Sequence, residues 1–235
     1  MGLFGPPNVE KLSAKRDVKG LAKALTNKDP SVRGSAARAL GELNGPDAVQ
    51  AIAERLDGQQ EEAAIEAGAE ALRAMNGRAA PILLQSLREV PDEEKPLYAA
   101  LLGRLGKEQG LAPLLEGSHD ADPSVRGSAA FALAMLETPE ATERIIAVFK
   151  SDEDMDARGL AAMALGTRKL PGAYETLMAA LDGDDALGRA LGATCLGMLE
   201  DTRAVPRLQQ LADLDDDERV RDSARSAVAD LQKSA

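Results

Sequence analysis

Histidine and cysteine, two residue types that often carry catalysis, occur once each in this chain, as His119 and Cys195. Ser118–His119–Asp120 spells the members of a hydrolytic triad in one run. A triad is a constellation in space, however, and three consecutive residues cannot present that geometry. His119 is therefore expected in an exposed connection. Cys195 stands in an apolar helical pattern where alanine usually stands, and reads as a small buried packing residue. Being alone, it forms no internal disulfide. Asp213, Asp215 and Asp217 have the D-x-D-x-D spacing of a calcium loop, but Glu218 replaces the loop's glycine and Ala224 its twelfth-position glutamate. Asp152, Asp154 and Asp156 fail in the same way at Ala157 and Met163. Neither G-x-x-x-x-G-K-[ST] nor G-x-G-x-x-G is present. The residues thus predict no catalytic, cofactor-binding or metal-binding site, and a chain that is not an enzyme.

A different set of charged residues recurs with a fixed spacing. DPSVRGSAA appears twice, at Asp29–Ala37 and Asp122–Ala130. Five Asp/Arg pairs share its four-residue offset: Asp29 and Arg33, Asp122 and Arg126, Asp154 and Arg158, Asp185 and Arg189, Asp217 and Arg221. Asp at a helix N-cap accepts hydrogen bonds from backbone N–H groups that lack a partner, and its charge suits the positive end of the helix. Pro30 and Pro123 then fall at the first helical position, where no N–H is missed. Arg four residues on reaches that carboxylate or the Asp of an adjacent unit. The set is expected to form a structural ladder along one edge rather than an anion site, because each Arg is matched by an Asp.

What positions these residues is a repeat. Counterparts of the Ala39–Leu40 pair follow at Ala71–Leu72, Leu101–Leu102, Ala132–Leu133, Ala164–Leu165, Cys195–Leu196 and Ala227–Val228, giving a period near 31. Nine residues after each of the first six anchors stands a small residue: Ala48, Ala80, Gly110, Ala141, Ala173 and Ala204. Thirteen residues after stands Ile52, Leu84, Leu114, Ile145, Leu177 or Leu208. Each unit reads as two short helices. Val32, Ala36, Ala39, Leu40 and Leu43 form one apolar face, Asn44–Gly45–Pro46 turns, and Val49, Ile52, Ala53 and Leu56 form another. Such a pair cannot bury both faces alone and must stack on its neighbours. The small residues mark close helix crossings, so Ala129→Leu should overpack by roughly 1–3 kcal/mol and Leu133→Ala should cost about 2–5 kcal/mol.

Composition agrees with an all-α chain. The 235 residues include no Trp, two Tyr and three Phe, so the core must be packed from Ala and Leu. No segment is apolar for long enough to cross a membrane. MGLFGPP is too short and uncharged for a signal peptide, and Pro6 stands where a myristoylation motif wants Ser or Thr. The expected location is cytoplasmic. Net charge is −11, unevenly spread: residues 1–40 hold eight Lys/Arg against three Asp/Glu.

The pattern D-P-x-V-R-x-x-A-A-x-A-L-G-x-L followed by A-V, carried by Asp29–Leu43 with Ala48–Val49 and by Asp122–Leu136, resembles HEAT-like repeats of the type named after phycobilisome lyases. Residues 152–208 match more loosely, and units two and three lack the Asp/Arg pair. The resemblance covers nearly the whole chain. It implies a right-handed α-α superhelix, an α-solenoid of about seven helix-pair repeats spanning 1–235. Basic capping helices would lie at 1–28 and a capping helix at 217–235. The resemblance also implies a protein-binding scaffold, with the second helices lining a concave docking face. Enzymes of this broad fold such as deoxyhypusine hydroxylase hold two irons with paired His-Glu motifs, which a single histidine cannot supply. DNA glycosylases built on similar repeats present basic, aromatic surfaces, unlike this acidic chain.

Two surface features remain. The connections between units carry Asp57, Glu61, Glu62, Asp92, Glu93, Glu94, Asp120, Asp152, Asp154, Asp182, Asp184, Asp185, Asp215 and Asp216. They read as helix caps and solubility, or as an acidic edge that steers a basic partner. Lys11, Lys15, Arg16, Lys19 and Lys23 read as a solvated face of the first helices, as contact with an anionic surface, or as a head-to-tail contact with the acidic C-terminal end of another copy. The expectation is a monomeric, non-enzymatic adaptor for another protein, with no nucleic acid, no membrane span and no cofactor. A bilin lyase subunit or other tetrapyrrole-handling protein is the alternative, and a metal-dependent hydrolase or oxygenase a third.

Overall fold

A computed structural model describes residues 7–233. The expectations placed on Met1–Pro6 and on the last two residues, including the reading of Gly2 and Pro6, lie outside the described residues. Among the described residues the chain forms fifteen α-helices and no strand. None is long and apolar enough to cross a membrane. The chain divides into two compact units, Met1–Pro113 and Leu114–Ala235.

The first unit contains α1 (Val9–Ala14), α2 (Val18–Ala24), α3 (Pro30–Leu43), α4 (Pro46–Leu56), α5 (Glu62–Arg73), α6 (Ala79–Glu89), α7 (Lys95–Arg104) and the start of α8 (Lys107–Gly117). These helices alternate between two layers. α3 packs on α1 and α5, while α4 packs on α2 and α6. The core is aliphatic, with Leu21, Leu25, Leu40, Ile52, Leu72, Met75 and Leu83 fully buried. α7 departs from the alternation, packing on α6 and α4 rather than chiefly on α5.

The second unit contains α9 (Pro123–Leu133), α10 (Pro139–Ser151), α11 (Met155–Arg168), α12 (Ala173–Ala180), α13 (Ala186–Leu199), a 3₁₀ turn at Thr202–Ala204, α14 (Val205–Leu214) and α15 (Glu218–Lys233). Here α9, α11, α13 and α15 form one layer, each packed on the next, and α10, α12 and α14 pack against it. Ala129 and Leu133 are fully or nearly inaccessible, as are Ala161, Leu165, Ala193 and Leu196.

The repeat anchors fall on α3, α5, α7, α9, α11, α13 and α15, one per first helix. The turn to each second helix contains a residue in the left-handed region: Arg16, Asn44, Asn76, Gly106, Glu137, Lys169 and Glu200, with φ between 48° and 80°. Only one of these is glycine. Asn44 and Asn76 adopt this conformation readily, whereas Arg16, Glu137, Lys169 and Glu200 bear the steric cost of a side chain at positive φ, so at those four turns the flanking helices outweigh the preference of the residue.

Candidate functional site

The recurrent aspartates sit where helix ends need them. Asp29, Asp122, Asp154, Asp185 and, by backbone position, Asp217 precede α3, α9, α11, α13 and α15. Their carboxylates accept from the N–H two residues on: Asp29 from Ser31 (2.9 Å), Asp122 from Ser124 (2.9 Å), Asp154 from Asp156 (3.0 Å), Asp185 from Leu187 (3.1 Å) and Asp217 from Arg219 (2.8 Å). Capping holds the Asp29 carboxyl below its usual range, chiefly through the Ser31 N–H.

The arginines reach forward instead. Arg126 makes a two-pronged contact with Asp152, Nε to one oxygen and Nη2 to the other, both 2.8 Å. Arg189 holds Asp215 in the same way, at 2.8 and 3.0 Å. Neither carboxylate is the predicted cap; each lies two residues before one. Only Arg158 takes the next repeat's capping residue, Asp185. The reason is local: the position two before Asp185 is Gly183, which has no carboxylate. Arg33 and Arg221, the remaining members of the predicted set, bond to carbonyls of their own preceding loops, Asn27 and Lys28 for the first, Asp215 and Asp216 for the second. Arg126 and Arg189 also do this through Nη1.

The residue two before most caps was read from the sequence only as part of the acidic edge, where Asp120, Asp152 and Asp215 stood, and not as a loop-closing acceptor. Asn27, Gln59, Asp120, Asp152 and Asp215 each accept from the N–H two residues ahead. Asp152 and Asp215 therefore hold their own loop closed while binding the arginine of the repeat before. Their side chains are only 6% and 5% exposed. The guanidinium hydrogen bonds draw both carboxyls below the ordinary range, against the opposing effect of burial.

Several of the remaining loop carboxylates are exposed and, among the described residues, make no side-chain hydrogen bond or ion pair: Asp57, Glu61, Glu93, Glu94, Glu153, Asp184 and Asp216. Glu61 and Glu94 stand at the N-caps of α5 and α7 without a side-chain cap bond, and the charge of Glu153 acts on Arg126. Asp182, by contrast, is engaged by Arg207, and Lys169 pairs with Glu200 at 2.9 Å.

The first unit also contains an open groove of about 890 Å³ on its second-helix side. Pro46, Gln50 and Glu54 of α4 form one wall at four-residue spacing, and Ile82, Gln85 and Glu89 of α6 the other. The α6–α7 connection and Tyr98 of α7 close one end. The ionisable residues that line it are Glu54, Glu89, Glu94 and Tyr98. Lys95, next to it in sequence, is 4% exposed and turned back into its own loop, on the Val90 carbonyl and Asp92, both 2.9 Å.

His119 is exposed in the turn after α8, its Nδ1 2.9 Å from the Leu115 carbonyl oxygen. Cys195 is buried on α13, and burial pushes its thiol up to about 12. Among the described residues, no three His, Cys, Asp or Glu gather as a group that could hold a metal ion.

No curated protein matches the chain. Among solved structures, the complex of CpcE and CpcF of phycocyanin lyase from Nostoc sp. PCC7120 is similar at 22% identity, covering 63% of this chain and 97% of that one with a TM-score of 0.52. Human deoxyhypusine hydroxylase is similar at 20% identity over 97% of this chain and 100% of that one, TM-score 0.40. A designed armadillo repeat protein is similar at 20% identity over 91% and 99%, TM-score 0.38. The model of HEAT repeats matches residues 18–95, 80–156 and 142–229, a span that runs from α2 into α15. The paired helices form an α-solenoid, and the chain belongs to the HEAT-repeat family.

Proposed function

We propose that this protein is a non-enzymatic, monomeric, cytoplasmic adaptor that binds another protein through its second helices and the acidic connections between repeats. The observation that carries the reading is the division of labour among the loop carboxylates. Asp29, Asp122, Asp154 and Asp185 cap helices, and Asp152 and Asp215 tie repeats together. Asp57, Glu93, Asp184 and Asp216 are exposed and make neither kind of side-chain bond among the described residues. Capping therefore does not account for them, and exposed negative charge of this kind raises the rate at which a basic partner arrives.

The test is capture of partners from native lysate by the wild type and by a variant with Glu153→Gln, Asp184→Asn and Asp216→Asn, at low and raised salt. A partner retained in equimolar amount by the wild type, with affinity that falls as salt rises and falls again in the variant, supports the reading. Equal capture by both proteins at every salt concentration overturns it.

A second reading, a subunit of a bilin lyase, is favoured by the likeness to the CpcE and CpcF complex. It predicts a visible absorption band when the protein is mixed with bilin, alone or with a second subunit. Colourless protein after removal of free pigment rejects it.

A further inference from the structure

The third repeat breaks a rule that the other six keep. Three residues before the anchor, every other repeat has a small residue: Ala36, Gly68, Ala129, Ala161, Gly192 and Ala224. At that position the third has Tyr98. A small residue there allows one first helix to lie close on the next. A tyrosine does not, and α7 is the first helix that packs chiefly on α6 instead. The groove between α4 and α6 opens beside it.

Tyr98 is 6% exposed and lines that groove, and its hydroxyl makes no hydrogen bond among the described residues. The ring is covered while the hydroxyl oxygen keeps contact with solvent, so an incoming donor can reach it. Burial raises its pKa first, and the charges of Glu94, Glu54 and Asp57 raise it further, so the phenol stands within the field of these carboxylates. Among the described residues Glu94 has no side-chain partner, and Glu54 has only the amide of Gln50, at 3.1 Å. The hydroxyl and both carboxylates line one groove, no Lys or Arg is among its lining residues, and its walls at Pro46 and Ile82 are apolar.

We propose that the groove between α4 and α6 seats a basic, arginine-bearing segment of a partner protein, with Glu54 and Glu94 holding the guanidinium and the Tyr98 hydroxyl accepting one of its N–H groups. Arginine fits better than a compact ammonium. Its planar fork serves several oxygen acceptors at once, and its hydrocarbon stem lies along the apolar walls. The groove volume is in the range that takes side chains of a bound segment rather than a whole domain. The proposal rests on the adaptor reading and narrows its partner to a chain with arginine in an exposed segment.

The test uses the full chain and a fluorescein-labelled peptide of alternating arginine and alanine, read by anisotropy at low salt. A peptide with citrulline in place of arginine has the same shape without the charge. The wild type is expected to bind the arginine peptide about tenfold or more tightly than the citrulline peptide. Glu54→Gln combined with Glu94→Gln should weaken binding about tenfold. Tyr98→Phe, which keeps the ring, should weaken it several-fold at an unchanged circular dichroism spectrum, whereas Glu42→Gln with Glu70→Gln, exposed on the first helices α3 and α5 and not lining the groove, should leave it within about twofold. If the arginine peptide binds and only the loop variant with Glu153→Gln, Asp184→Asn and Asp216→Asn weakens it, the groove proposal falls and the adaptor reading stands. If no variant matters, if the citrulline peptide binds equally, or if spermine binds as tightly with the same variant dependence, the groove proposal falls as well.

Discussion

Arg126 and Lys169 each hold a carboxylate of the following repeat, but in different surroundings. The Arg126–Asp152 pair is 12% and 6% exposed, whereas Lys169 and Glu200 are 58% and 60% exposed. Truncating one member of a buried pair leaves the other desolvated, so Arg126→Ala should cost about 3 kcal/mol or more in urea unfolding. Lys169→Ala should move the urea midpoint far less than Arg126→Ala, because water already screens that pair. Glu137 offers the opposite sign. It is exposed, has no side-chain partner among the described residues and is held at φ 51°. Glu137→Gly should stabilise by about 0.5–1 kcal/mol, and a lower urea midpoint would show that its side chain contributes something else. At this scale the caps were legible from Asp and Pro spacing alone. The forward reach of the arginines was not, because it depends on which carboxylate the next repeat presents. Repetition at Asn27, Asp120, Asp152 and Asp215 was the available signal.

Among the elements, the duplicated nonapeptide separates local sequence from its setting. Gly34 on α3 and Gly127 on α9 occupy the same place in DPSVRGSAA. A Cβ on Gly34 would meet nothing within 4 Å, while one on Gly127 would lie 2.8 Å from Leu160 Cδ1 and 3.0 Å from Ala157 Cα. Gly34→Ala is therefore expected to stabilise by about 0.5–1 kcal/mol through helix propensity. Gly127→Ala should destabilise by about 1–3 kcal/mol through overpacking against α11. Thermal unfolding of the two single variants decides this, and changes of the same sign would refute it. Helix pairs, their period and their buried faces were readable from apolar spacing. The α4–α6 groove was not, since apolar spacing does not say how far apart two second helices stand, although Tyr98 at its end was visible as the one bulky residue in a position that is otherwise small.

For the whole molecule, acid response follows from the carboxylates that the fold uses. Asp152, Asp215 and Asp185 are held below their ordinary range, and Asp217 is brought to about 2, chiefly by Arg219. A folded pKa below the unfolded value gives stability that is fully present above the unfolded pKa of about 4. That stability is lost as pH falls through the folded values. Denaturant midpoints should accordingly be flat between neutral pH and about 5 and fall steeply from about 4 towards 2. Combining Asp152→Asn with Asp215→Asn should lower the neutral plateau and flatten the slope. A wild type equally stable at pH 3 and pH 7 would contradict the assignment.

The position of Cys195 has a practical consequence. A Cβ placed on Gly166 of α11 would be 3.0 Å from the Cys195 Cβ on α13, so the thiol lies in the seam between these helices. There it is both covered and protonated, and an alkylating reagent can modify it only after the seam parts. The rate of its modification is thus a built-in clock for the separation of two adjacent repeats, available in the unmodified protein without an added label.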